Sequence, residues 1–111
     1  MLESLFGNPV IEKILFYLLK NERTYASELS RTFELPLFSF QTALDRLEKG
    51  SIIASHKEGR TRVYQFNPRY PLENELLTFL EKAYTFLPET FRERYYESPS
   101  RKRPRRRGKP L

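Results

Sequence analysis

Apolar positions at helical spacing predict a first long helix over about residues 9–20. One face of it carries four aliphatic side chains at i, i+3, i+4 and i+7, namely Ile11, Ile14, Leu15 and Leu18. Asn8 is a strong N-cap, and Pro9 at the first helical position has a preset φ and no N–H to leave unpaired. We therefore expect this helix to begin at Pro9, after residues 1–7, which form either a short helical arm or an ordered lead-in.

The next stretch alternates between helical and turn signals. Residues 27–33 predict a short helix, because Leu29 and Phe33 lie one turn apart on an apolar face. Pro36 disfavours a helical conformation at the residue before it, so the turn 34–36 separates this helix from the next. The following helix is predicted over about residues 37–49 and ends at Gly50.

Strand-like alternation follows, most clearly in residues 63–66, which we expect to pair with residues 52–54. Between them lies the tip Lys57-Glu58-Gly59-Arg60, in which the glycine suits a turn that needs positive φ. Lys57, Arg60 and Arg62 place three cations within six residues, which suits contacts to phosphate or to a minor groove. A charged turn is also common on proteins of every function, so the tip alone does not establish that the chain binds nucleic acid.

Helix, turn, helix and hairpin together form the layout of a winged helix-turn-helix, in which the second helix enters a DNA major groove. Phe40, Leu44 and Leu47 form the inner face of that helix. The outer face is mostly polar: Phe38, Ser39, Gln41, Thr42, Asp45 and Arg46. Gln and Arg can contact bases bidentately, and Ser and Thr can donate to phosphate or to base edges. An ordinary solvated helix face is the competing interpretation.

Residues 73–87 predict a last long helix that is apolar on more than one side. One stripe repeats at i, i+4, i+7 and i+11 through Leu76, Leu80, Ala83 and Leu87. Phe79 adds apolar surface beside that stripe. Such a helix is either shared with a second copy of the chain or completes the core of the monomer. After Pro88, residues 89–97 are long enough for one or two further helical turns.

The positive charge of the chain is concentrated at its C-terminal end. The net charge is +6, yet residues 1–97 carry 13 Lys or Arg against 14 Asp or Glu. The remaining cations all lie within nine residues: Arg101, Lys102, Arg103, Arg105, Arg106, Arg107 and Lys109. We expect one winged-helix domain over residues 1–97 and a disordered basic tail over 98–111. The tail favours sequence-independent attraction to nucleic-acid phosphate, and a merely solubilising extension is the alternative.

Other classes of protein find little support in the sequence. There is no cysteine and only one histidine, His56, so we expect no metal site and no disulfide. We find no nucleophile motif and no phosphate-cradling loop, and we expect neither an enzyme nor a bound cofactor. The longest apolar run, residues 14–19, is far shorter than the ~20 residues that cross a bilayer. No signal peptide is evident, and we expect a cytoplasmic protein.

These residues resemble the ArsR-type winged-helix transcriptional regulators of prokaryotes. The resemblance covers about residues 5–87. It depends on the spacing of several short segments: Leu5-Phe6-Gly7, Ile14-Leu15, Leu18-Leu19, Glu28-Leu29-Ser30, residues 35–40, residues 44–50 and residues 58–68. The resemblance implies DNA contacts from Ser39, Gln41, Thr42 and Arg46 of the recognition helix, and from Lys57, Arg60 and Arg62 of the wing.

The family also implies a homodimer formed through the first and last helices. The residues we expect at that interface are Leu2, Leu5, Phe6, Leu76, Phe79, Leu80, Ala83 and Leu87. The metal-sensing members of the family use clusters of Cys, His and acidic residues, which this chain lacks, so metal sensing is not carried over.

The fold class expected is therefore mainly α with a small β-hairpin: a winged helix-turn-helix with an extra C-terminal dimerisation helix. The function expected is that of a dimeric, sequence-specific regulator, acting as a repressor on double-stranded DNA. A winged-helix module that docks proteins and holds nucleic acid through its basic tail is the alternative. The exposed position expected for Phe38, Asp45 on the outer face and the near-neutral charge of residues 1–97 favour that alternative.

Overall fold

The computed structural model describes residues 1–97, which form six helices and one two-stranded antiparallel sheet. The elements are α1 (Glu3–Phe6), α2 (Pro9–Asn21), α3 (Ala26–Phe33), α4 (Leu37–Lys49), β1 (Ile53–Glu58), β2 (Thr61–Phe66), α5 (Glu73–Tyr84) and α6 (Glu89–Tyr95). This is the expected mainly α fold with a small hairpin. The predicted basic tail, residues 98–111, lies outside the described residues.

The first long helix begins as its sequence dictates. Asn8 caps α2 with its side-chain oxygen, which accepts a hydrogen bond from the backbone N–H of Val10 at 2.7 Å, and Pro9 occupies the first helical position. α2 then runs through the centre of the molecule, and its residues 14–18 are almost completely buried. The short arm is anchored to it by the buried Glu12, whose carboxylate accepts a hydrogen bond from the backbone N–H of Leu2 at 2.6 Å.

The turn between α3 and α4 takes a backbone conformation that usually selects glycine. Glu34 ends α3 in the left-handed region, with a φ of 56°, and its N–H bonds to the carbonyl oxygen of Ser30. The Ser30 hydroxyl also donates to the carbonyl oxygen of Leu35 at 2.6 Å. These bonds satisfy the end of α3 and turn the chain into α4 within three residues.

The last two helices complete the helical core. α5 ends at Tyr84, three residues before the predicted end, because the chain turns and the Thr85 hydroxyl caps the carbonyl oxygen of Lys82 at 2.7 Å. α6 then folds back over α2 and α3. Tyr96 packs against Phe16 and Phe33, with ring centroids 5.8 and 5.7 Å away.

Aromatic packing makes α6 part of the core. The Phe33 ring lies between Phe40 of α4, at 5.9 Å, and Tyr95 of α6, at 5.2 Å. Burial raises the pKa of the Tyr96 hydroxyl, and burial together with a hydrogen bond to Glu97 raises that of Tyr84. Both tyrosines therefore remain neutral over the physiological range. None of the helices in residues 1–97 is both long and apolar enough to cross a membrane.

Candidate nucleic-acid interface

The outward stripe of α4 consists of Phe38, Thr42, Asp45 and Lys49, which lie at i, i+4, i+7 and i+11 and are all exposed. The opposite face is buried in the core, so α4 can enter a groove only by this side. Asp45 does not present an unpaired negative charge, because the Lys49 ammonium lies 3.2 Å from its Oδ2 atom. The Asp45 carboxylate, whose charge disfavours DNA on this face, is thus paired with a cation of its own helix.

The remaining polar residues of α4 flank the outward stripe. Gln41 is exposed on one side of it, and Ser39 and Arg46 lie on the other. The Arg46 side chain also lines a groove between α4 and α5. Arg46 therefore lies at the border between the outward stripe and that groove, rather than in the middle of the stripe.

The wing is a regular hairpin with a two-residue turn. Its pairing continues from Ile53↔Phe66 to Glu58↔Thr61. Lys57, which the sequence predicted in the tip, therefore belongs to strand β1. Gly59 takes a φ of 64° at the first turn position, where a tight hairpin turn of type II′ needs it. A β-carbon added there would meet no atom within 4 Å, so the tip projects into solvent.

Two of the wing cations face each other across the strands. Lys57 and Arg62 are direct cross-strand partners and are both exposed. Like charges directly opposite each other destabilise a hairpin. Within residues 1–97, neither these two side chains nor Arg60 forms an ion pair with a carboxylate. The wing thus concentrates positive charge that the described part of the chain does not compensate.

A chain of hydrogen bonds ties the wing to α4. The Arg62 guanidinium donates from Nη1 to the Ser55 hydroxyl oxygen at 2.9 Å, and Ser55 donates to Oε2 of Glu48 at 2.6 Å. This network links both strands of the wing to α4. It also gives the half-buried Glu48 carboxylate a hydrogen-bond donor from within the chain.

The other face of the wing is pinned to the segment between α2 and α3. Arg23 forms an ion pair with Glu58, and His56 lies 2.8 Å from the same carboxylate. These two contacts, Arg23 first, lower the pKa of Glu58. Thr24 exchanges two backbone hydrogen bonds with Tyr64, of 3.1 and 2.8 Å, and thereby forms an isolated β-bridge to the hairpin. The wing is consequently held on both sides.

The residues predicted at a dimer interface fall into two groups. Leu5, Phe6, Leu76 and Phe79 come together and line an apolar groove of about 660 Å³. Leu80, Ala83 and Leu87, by contrast, are buried within the single chain, at 0, 6 and 8% exposure, which corrects their expected place on a shared surface. The physical reason is that α5 packs against the central helix α2 and places this stripe in the core of the single chain. Leu2 is half-buried and packs against the core cluster.

The last described residues lie against α2. The Asn21 side-chain amide donates to the carbonyl oxygen of Tyr96 at 3.1 Å, which places Tyr96 beside the C-terminal end of α2. Arg23, which contacts the wing, is two residues further on. The seven predicted contact residues of the tail, Arg101 to Lys109, lie outside the described residues.

Sequence reasoning missed the partners that neutralise the acids on this side of the molecule. The pairing of Lys49 with Asp45 could have been found, because opposite charges four residues apart on a helix are neighbours. Nothing in the linear pattern links Arg23 to Glu58, or Ser55 to Glu48, since those contacts depend on how the wing folds against the helices. In the described part of the chain, no group of His, Asp and Glu side chains could hold a metal ion.

Comparison with known proteins bears on the fold. No protein-family model and no curated protein matches the chain. The solved structures that it resembles include the adhesin competence repressor AdcR from Streptococcus pyogenes, with 15% sequence identity and a TM-score of 0.52 over 76% of this chain and 66% of that one. They also include the C30AH42A mutant of Lactococcus lactis ZitR in its apo form, with 16% identity and a TM-score of 0.53 over 83% of this chain and 70% of that one.

A second structure of the same ZitR mutant gives 17% identity and a TM-score of 0.52, over 76% of this chain. This chain spans between 57 and 70% of the length of the three structures. At such low identity the similarity shows the fold alone. The chain has the winged-helix fold that is found in transcription regulators.

Proposed function

We propose that this chain is a cytoplasmic, sequence-specific DNA-binding regulator of transcription that acts as a homodimer. The recognition helix α4, residues 37–49, enters the major groove, and the wing, residues 57–62, contacts the backbone or the adjacent minor groove. The observation that carries the proposal is the exposed cross-strand pair of Lys57 and Arg62, neither of which forms an ion pair within residues 1–97. A repressor of the ArsR type is the specific form proposed. The repressor role draws support from the name of AdcR, and the ArsR subtype from the resemblance of residues 5–87.

The electrostatics of the face support a polyanionic ligand. The nearby acids Asp45, Glu48 and Glu58 each have a partner within the chain. The cations Lys57 and Arg60 have none in residues 1–97. The phosphates of DNA would relieve the repulsion between Lys57 and Arg62 and supply the missing negative charge. A near-neutral domain can therefore still present a positive surface where it meets DNA.

Base reading falls to the polar side chains of α4. Gln41 can bond bidentately to adenine, and Arg46 to guanine, whereas Ser39 and Thr42 can donate to phosphate or to base edges. The network from Glu48 to Arg62 links the wing to α4, so that helix and wing would engage the duplex together. The basic tail, residues 98–111, is proposed to add sequence-independent affinity.

The apolar groove is proposed as the dimer interface, with a second copy of the chain as its occupant. Leu5, Leu72 and Phe79 line it and are 65, 56 and 41% exposed. A two-fold dimer would bring two recognition helices to one duplex, about one helical turn apart. Sedimentation showing only a monomer at tens of micromolar would contradict this part of the proposal.

The test is a set of single substitutions measured against a preferred and a scrambled duplex. Arg46→Ala and Gln41→Ala each should reduce the preference by ~1–3 kcal/mol if the side chain makes a good base contact. Lys82→Ala, an exposed cation on α5, is the matched control and should leave the preference unchanged. If neither α4 substitution alters the preference, the outer face of α4 is not the reading surface.

A protein-docking module remains the second candidate, because the Phe38 ring is 76% exposed. Hydrophobic surface of this kind often marks contact with another protein. Recovery of one stoichiometric protein partner on immobilised chain, unaffected by nuclease, would favour this candidate. Loss of that partner in Phe38→Ala would assign the contact to the start of α4.

A further inference from the structure

We propose that Phe38 reads the 5-methyl group of a thymine in the major groove. The inference rests on the proposed DNA-binding function and adds a specificity-determining residue to it. Its test is arranged so that the readout by Phe38 can fail while DNA binding stands.

The Phe38 ring is the most exposed of the large hydrophobic side chains in residues 1–97. It lies in the first turn of α4, after Leu37, which is 41% exposed, and neither residue belongs to the core cluster. The ring therefore contributes nothing visible to the packing of the single chain. Its position on the outward stripe with Thr42 puts it on the side of α4 that faces away from the core.

The location of the ring determines what it can touch on DNA. In helix-turn-helix proteins the N-terminal residues of the recognition helix contact base edges in the major groove. The first turn of α4 contains no acidic residue, and the positive end of its dipole favours the nearby phosphates. Phe38 is thereby held at the edge of the groove, where the helix comes closest to the bases.

The chemistry of the ring selects the base. Phenylalanine has no donor or acceptor for the polar edges of bases or for phosphate. The methyl group of thymine is the apolar feature that the four bases display in the major groove, and Phe is one of the side chains that contacts it. Thr42, one turn further along the stripe, brings a second methyl group to the same surface. A thymine is the base that this strip of apolar surface would favour.

Deoxyuridine provides a direct probe, because it differs from thymidine only by the missing methyl group. The full chain is first used to select preferred duplexes from a random pool, and each thymine of the best site is then replaced singly by deoxyuridine. Wild-type chain should bind about fourfold more weakly when the thymine that contacts Phe38 is replaced. This factor corresponds to the ~0.8 kcal/mol gained by burying one methyl-sized group. Phe38→Ala should bind the two duplexes equally.

A matched control is available on the same chain. Phe86, which is 68% exposed and follows α5, is a second exposed phenylalanine remote from α4 in the sequence. Phe86→Ala should keep the wild-type response to deoxyuridine. Because both rings are exposed, both variants should fold, and circular dichroism with thermal unfolding checks this.

The outcomes separate the two proposals. If the selection yields a preferred site but no thymine shows a methyl effect that disappears in Phe38→Ala, the methyl readout is wrong and the DNA-binding function stands. If the selection yields no preferred site, both are wrong. If Phe38→Ala leaves DNA recognition intact and instead abolishes binding of a stoichiometric protein partner, the ring is a protein contact and the methyl readout is overturned.

Discussion

Replacing one wing cation should change the salt dependence of DNA binding by a calculable amount. Lys57 is the clearest choice, because it is exposed and, within residues 1–97, makes no hydrogen bond or ion pair through its side chain. Arg62 is less suitable, since it also donates to Ser55 and its loss would loosen the wing. Lys57→Gln therefore removes one charge while keeping the hairpin, and it relieves the repulsion from Arg62.

The magnitude follows from counterion release. Each phosphate contact contributes about 0.9 to the slope of log K against log salt on B-DNA. A homodimer has two wings, so Lys57→Gln should lower the slope by about 1.8. Over a fourfold rise in salt, this difference amounts to about 12-fold in affinity. The three cations Lys57, Arg60 and Arg62 of both wings together would supply a slope of about 5.

Fluorescence anisotropy with a labelled duplex, between 50 and 200 mM salt, measures this slope directly. The loss should be equal for a preferred and a scrambled duplex, because phosphate contacts carry no sequence information. Lys82→Gln on α5 is the charge-matched control and should keep the wild-type slope. An unchanged slope in Lys57→Gln would refute the placement of the wing against phosphate.

Three further predictions concern the domain itself. Leu80→Ala should lower the free energy of unfolding by about 2–5 kcal/mol, whereas Phe79→Ala should chiefly weaken self-association, as measured by urea unfolding and sedimentation. Glu34→Gly should raise the free energy of unfolding by about 1 kcal/mol, because Glu34 occupies a left-handed position, and its DNA affinity should stay at the wild-type value. Burial raises the folded-state pKa of Tyr84 and Tyr96, so the stability that they contribute is complete below pH ~10 and is lost above it. The melting temperature, measured between pH 8 and 11, should fall at the alkaline end, and the fall should be smaller in Tyr96→Phe.

The order of the elements was predictable because local signals agree with the fold. Asn8 and Pro9 start α2, Pro36 separates α3 from α4, and Gly59 forms the tip of the wing, each for a reason that lies within a few residues. The outer and inner faces of α4 were also correctly separated, because helical periodicity alone divides them. These parts of the fold need no knowledge of long-range contacts.

What was missed depends on contacts between distant elements. The stripe of Leu80, Ala83 and Leu87 was expected to face a second copy, yet it is buried in the core of the single chain, where α5 packs against α2. Periodicity shows that a face is apolar but does not show which element will cover it. Periodicity likewise does not reveal the ion pair of Glu58 with Arg23, because Arg23 precedes α3 and Glu58 lies in the wing.

The affinity of the domain for the gene's own upstream region, relative to a scrambled duplex, tests the central claim most directly. The measurement compares the full chain with a chain that ends after Glu97, by fluorescence anisotropy across a salt series. We expect both chains to prefer the upstream region, with the shorter chain binding more weakly to both duplexes. If the preference is absent and binding disappears with the tail, α4 and the wing do not read DNA, and the domain is a docking unit on a nucleic-acid tether.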